Sequence, residues 1–148
     1  IEFHVAEWKN EGGLEKEAAT CASLAEAAMA NGKTAVVYTS RTVIDLSDQT
    51  PEQLLAISVR ISDALTSVVS RLAKRPRFLI AKGGITSSDV GTIALAVKKA
   101  RVLGQVQPGI PVWKIGEESR FPGMSYIIFP GNVGDEDTLR KIVEVLNR

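Results

Sequence analysis

Apolar and polar residues alternate over residues 1–5, and apolar residues then recur in steps of three and four at Leu14, Ala18, Cys21, Ala25 and Ala28. The first pattern predicts a strand. The second predicts a helix over 14–31, ended by Gly32 at a position that commonly requires a left-handed residue. Residues 34–39 are a β-favouring run, apolar on both faces, as in a central strand of a parallel sheet. Thr50-Pro51-Glu52-Gln53 combines a capping box with proline at the first helical position, so a helix starts there. Leu54, Ile57, Ile61, Leu65, Val68 and Leu72 continue its apolar stripe, predicting a long helix laid over the sheet. Lys74-Arg75-Pro76-Arg77 stops it, and residues 78–81 form the next strand.

After Gly83-Gly84 the residues Val90, Ile93, Ala94 and Val97 predict the inward face of another helix, ending near Lys98-Lys99. The tail changes character. Residues 101–106, 112–115 and 126–129 are short β-type runs separated by Pro108-Gly109, Gly116 and Pro122-Gly123, and a last helix spans 135–146. The order predicts an α/β fold: a layered mixed sheet, mainly parallel in the N-terminal half, flanked by helices.

Composition narrows the function classes. At 148 residues and 45% hydrophobic content the chain reads as one domain with a real core. A net charge of +1 with both signs interspersed gives no basic stripe, so no nucleic-acid partner is expected. No apolar run approaches the roughly 20 residues that span a bilayer, and no signal peptide is recognisable, which points to a cytoplasmic protein. Cys21 is the only cysteine and lies on a helical apolar stripe, so it reads as core. His4 has no nearby Cys or His to complete a metal site and reads as a packed or surface residue. Arg41, at the end of a predicted strand, suits either an anion or solvent. Trp113 lies within an apolar run and reads as packing rather than as a base-stacking platform. The chain opens on Ile1 and enters a strand at once, so a fragment of a longer protein is expected.

The chemistry concentrates at Ala81-Lys82-Gly83-Gly84-Ile85-Thr86-Ser87-Ser88-Asp89, where an apolar run breaks into two glycines and hydroxyl residues before a helix. The first N–H groups of a helix have no internal partner and the dipole is positive there, so an anion such as phosphate can dock. An ordinary strand-to-helix turn is the other reading. The lysine precedes the glycines, so this is not a Walker loop. Residues 126–134 repeat the logic with Pro130-Gly131-Asn132-Val133-Gly134, but the helix start there carries Asp135, Glu136 and Asp137, which repel phosphate. Phosphate is therefore assigned to the Thr86 loop. The Gly131 loop is expected to touch the adenine or ribose of a nucleotide, or to hold a magnesium-bound water through a carboxylate.

Gly83-Gly84-Ile85-Thr86-Ser87 followed by Phe129-Pro130-Gly131-Asn132-Val133-Gly134 resembles the C-terminal nucleotide-binding domain of the four-carbon acid sugar kinase family. In that family a GG-x-T-S turn and a G-N-[FV]-G loop line the ATP site. The resemblance implies a nucleotide-binding domain over 1–148, part of a two-domain kinase that phosphorylates a hydroxyl of a threonate-like or erythronate-like acid. It implies ATP and Mg2+ as cofactors, nucleotide contacts at Gly83, Gly84, Ile85, Thr86, Ser87, Gly131, Asn132 and Gly134, and an N-terminal sugar-acid-binding domain as partner. The catalytic base is expected outside this chain, which alone would not phosphorylate. Relatives often carry an acid where Ile85 stands. A non-enzymatic domain binding a small anion is the alternative.

Overall fold

The computed structural model describes all residues, Ile1–Arg148, and divides them into two compact units, Ile1–Lys74 and Arg75–Arg148.

In the first unit, β1 (Glu2–Phe3) pairs in parallel with β2 (Tyr38–Thr39), and a 3-10 turn over Val5–Lys9 leads into helix α1 (Gly13–Ala30). The helix buries Leu14, Ala18, Cys21 and Ala25, as its spacing predicts, together with Ala22, while Ala28 is half-buried. Gly32, at φ +70°, terminates it while Lys33 donates its N–H back to Ala28. Helix α2 (Pro51–Ser70) begins with the expected capping box. Gln53 N–H donates to the Thr50 hydroxyl, and Thr50 N–H donates to the Gln53 side chain at 2.8 Å. Its stripe buries Ile57, Val68 and Leu72, while Leu54, Ile61 and Leu65 stay partly exposed. Contrary to the expected docking on a sheet, α2 packs chiefly on α1. The Glu26 carboxylate fastens the chain beyond α2 to α1 by accepting from the N–H groups of Ala73 and Lys74, at 2.6 and 3.0 Å.

The run at 34–39 is not the interior strand that its composition suggests. Only Tyr38 and Thr39 pair, and Val36 and Tyr38 are 49% and 41% exposed. A run of β-formers supplies propensity, but a strand becomes interior only with neighbours on both edges.

The second unit is a four-stranded sheet in the order β3-β6-β5-β4, built from β3 (Phe78–Lys82), β4 (Ala100–Gln107), β5 (Ile110–Ile115) and β6 (Ser125–Phe129). β3 and β6 run parallel, and the remaining pairs are antiparallel, so this is the mixed sheet expected of the tail. Helix α4 (Thr138–Leu146) covers one face, burying Ile142 with Ile110, Ile127 and Phe129.

Helix α3 (Gly84–Asp89) lies on the other face and runs into a π-helical turn over Val90–Ala94. The π turn corrects the predicted helix, which was to continue to Lys98-Lys99 with Ile93 inward. Leu95 N–H reaches back five residues to Val90, and the extra residue rotates the face. Leu95 is fully buried, and Ile93 is 62% exposed. Gly91 explains the tight packing at this turn, because a Cβ there would stand 3.3 Å from the Tyr126 ring.

Candidate functional site

Parallel pairing of β3 with β6 decides where the two glycine loops lie. Their last paired residues are Lys82 and Phe129, so both chains leave the sheet at the same carboxyl edge. Open α/β sheets bind ligands at such edges. Gly83 donates its N–H to the Phe129 carbonyl oxygen at 2.9 Å, continuing the ladder one step past the strands. The Lys82 ammonium donates to the Gly131 carbonyl oxygen at 3.1 Å and stands 4.5 Å over the Phe129 ring. A Cβ added at Gly131 would lie 3.8 Å from the Gly83 Cα. The two loops are therefore flank to flank, separated by little more than van der Waals contact.

Gly83 has φ +107° and ψ 147°, a conformation that side chains resist. That turn brings α3 off the strand at once. No side chain caps α3, so the first backbone N–H groups, those of Gly84, Ile85 and Thr86, have no capping partner. Gly84 is exposed, Thr86 half-buried, and Ile85 is 74% exposed, leaving Ile85 only its backbone to offer a ligand at this turn.

Ser87 differs from its neighbours. It is buried, its hydroxyl donates to Ala81 at 2.7 Å, and its N–H donates to Gly83 at 2.9 Å. The Tyr126 hydroxyl then donates to the Ser87 carbonyl oxygen at 2.6 Å. Burial pushes the Tyr126 phenol well above its usual range, so it stays a neutral donor. Ser87 holds the turn's shape from beneath.

In the second loop Gly131, Asn132 and Gly134 are exposed, and Gly134 takes φ +90°. The helix after it starts later than the sequence predicts, at Thr138, because residues 135–137 form a closed turn. Asp135 N–H donates to the Thr138 hydroxyl at 2.8 Å, and that hydroxyl donates to the Asp135 carboxylate at 2.7 Å. This bond, with help from Asp137 N–H and the Lys141 cation, holds Asp135 below the usual carboxylate range. Asp137 pairs with Arg140 at 3.2 Å. No group of three or more His, Cys, Asp or Glu side chains is arranged to hold a metal ion.

Beside α3 the sheet leaves a cavity of about 260 Å3, reaching from Gly84 to Thr92 along the helix and floored by Trp113, Tyr126 and Ile128. Of these residues sequence reasoning placed Gly84 and Ser87 at the nucleotide turn and read Trp113 as packing; the cavity itself had one available signal, Gly91, a glycine inside a helical pattern. The other chemistry-bearing residues have partners within the first unit. His4 Nδ1 meets the Glu17 carboxylate at 2.6 Å, Arg41 stands 5.9 Å over the Tyr38 ring, and Cys21 is buried.

A family model described as the nucleotide-binding C-terminal domain matches residues 1–139. No curated protein matches the chain. Among solved structures, a Bordetella bronchiseptica domain of unknown function, determined as a domain-swapped dimer with bound citrate, superposes with a TM-score of 0.70 at 15% identity. The match covers 98% of this chain and 34% of that one. A Haemophilus influenzae protein matches with a TM-score of 0.59 at 24% identity, again over 98% of this chain and 34% of its own. At these identities the likeness is one of fold. The chain spans about a third of the length of either protein. No helix is long and apolar enough to cross a membrane.

Proposed function

The chain belongs to the family of nucleotide-binding C-terminal domains, and from that premise we propose that it is the ATP-binding part of a cytoplasmic kinase acting on a hydroxyl of a four-carbon sugar acid, threonate-like or erythronate-like. The observation that carries this reading is the adjacency of the Gly83-Gly84 turn and the Gly131 loop at one sheet edge. One nucleotide can touch both. Loops on opposite edges would have left the motif pair without a common ligand.

Each residue has a part in this reading. Gly83 makes the turn, and Gly84, Ile85 and Thr86 offer backbone N–H groups at a positive helix end, with the Thr86 hydroxyl beside them. Ser87 and Tyr126 keep that turn rigid, so binding need not order it. Gly131 presents bare backbone beside Gly83, and Asn132 and Gly134 shape the second wall. Bound ATP supplies the transferable phosphoryl group, and this chain binds and orients it. The residues suit Mg2+ only as a passenger on the phosphates, since the Asp135 and Asp137 carboxylates are engaged with Thr138, backbone N–H and Arg140.

The group that accepts the substrate's proton lies, in this account, in an N-terminal sugar-acid-binding domain, and this chain alone does not phosphorylate. The test is ATP consumption with threonate or erythronate by the chain alone and by the longer protein that contains it. Activity confined to the longer protein, and lost when Gly84→Val is introduced there, is the expected outcome. Phosphorylation by the chain alone overturns the division of labour, and inactivity of both toward every four-carbon acid overturns the kinase assignment.

A further inference from the structure

We propose that the cavity beside α3 is the seat of the nucleotide's heteroaromatic base, with Trp113 as its stacking wall. This rests on the nucleotide reading above and specifies where the base goes. Trp113 lies directly across from Tyr126 in the β5–β6 pairing and is only half-buried, so its indole is open on the side away from the sheet. The cavity, about 260 Å3, is smaller than the roughly 300–1,000 Å3 of pockets that enclose a whole drug-sized ligand. It suits one ring system rather than an entire nucleotide.

The polar groups around the cavity identify its occupant. The Ser87 hydroxyl is given to Ala81, the Thr92 hydroxyl to the Ser88 carbonyl oxygen, and the Tyr126 hydroxyl to Ser87. Three donors that line the space are thus spent on the backbone, leaving walls that are apolar in effect, with the exposed Ser88 hydroxyl at the rim. A phosphate or a sugar acid buried there would lose its hydration without compensation. A flat, uncharged ring would not, and an aromatic face attracts it.

Position supports the same occupant. Gly84 belongs both to the cavity and to the turn that adjoins the Gly131 loop. At about 1.5 Å of rise per residue, Ser88 and Gly91 lie roughly 6 and 10 Å farther along the helix axis than Gly84. A ribose bridges such a span between phosphates at the helix start and a base beside Trp113. The base is thereby moved from the Gly131 loop, where the sequence had put the nucleoside, to the flank of α3.

Trp8→Phe leaves Trp113 as the sole tryptophan, because the chain has two. In that background ATP and adenosine should both quench Trp113 emission, whereas inorganic pyrophosphate should bind without doing so. Trp113→Ala should weaken ATP by about 5- to 150-fold, the range expected for losing one stacked base, while pyrophosphate affinity is unchanged. Trp113→Phe should restore most of the ATP affinity. Ser88→Leu, at an exposed helix position, should block adenosine even if Trp113→Ala fails to fold. If ATP binds but neither Trp113→Ala nor Ser88→Leu weakens it, the base sits elsewhere and the nucleotide reading stands. If neither ATP nor pyrophosphate binds, both fall.

Discussion

Gly83 donates its backbone N–H to the Phe129 carbonyl oxygen at 2.9 Å, so the hydrogen-bond ladder between two parallel strands runs on into the loops that follow them. This one bond fixes the Gly83 turn against the start of the second loop. It depends on a glycine at φ +107°. Gly83→Ala should destabilise the protein by about 1–3 kcal/mol, the cost of a strained backbone region. Gly84→Ala, with nothing within 4 Å of the new Cβ, should stay within about 0.5 kcal/mol of the wild type. Urea unfolding midpoints measure both, and equal midpoints for the two variants would contradict the assigned strain.

Tyr126 supports the turn from beneath. Tyr126→Phe removes one of two donors to the Ser87 carbonyl oxygen, which keeps the Val90 N–H, and should cost about 0.5–1.5 kcal/mol at an unchanged denaturant slope. Nucleotide affinity should fall with it, since α3 is then less firmly seated. A Tyr126→Phe variant as stable as the wild type would show that the 2.6 Å bond is not what holds Ser87.

His4 gives the fold a pH dependence of known sign. Its hydrogen bond to Glu17, and then the charge of that carboxylate, raise the imidazole above the ordinary 6.5. A group raised in the folded state stabilises fully below its unfolded value, and that contribution is lost as pH rises through the folded value. Stability should therefore decline from about pH 6.5 upward until His4 has titrated, and His4→Gln should flatten that decline. A slope that survives in the variant would assign it to other groups.

Much of this architecture was legible in residue patterns. The capping box at Thr50 and Gln53, the Gly32 stop and the mixed strands after residue 100 all follow from local chemistry, and local chemistry is what a sequence displays. The partnership of the two loops was legible only as a repeated strand-to-glycine motif. Their adjacency depends on β6 entering the sheet beside β3, a non-local pairing that no periodicity encodes. Residues 34–39 misled because propensity cannot tell how many neighbours a strand will have. The π turn after Asp89 escaped because one inserted residue changes which side chain is buried without changing composition, so Leu95 took the place read as belonging to Ile93. Trp113 read as packing because its run is apolar, yet the cavity leaves one side of it open.

The central claim is that one nucleotide lies across the adjoining Gly83 and Gly131 loops and touches both. Calorimetric titration of Mg-ATP into the wild type and into Gly131→Val tests it most directly, because the added side chain stands at the junction of the two loops, where its first carbon lies 3.8 Å from the Gly83 Cα. The account predicts saturable binding to the wild type and affinity at least about tenfold weaker in the variant, a difference of roughly 1.4 kcal/mol, with both proteins unfolding at the same urea concentration. Absence of wild-type binding at millimolar nucleotide, or equal affinities for the two proteins, would contradict it.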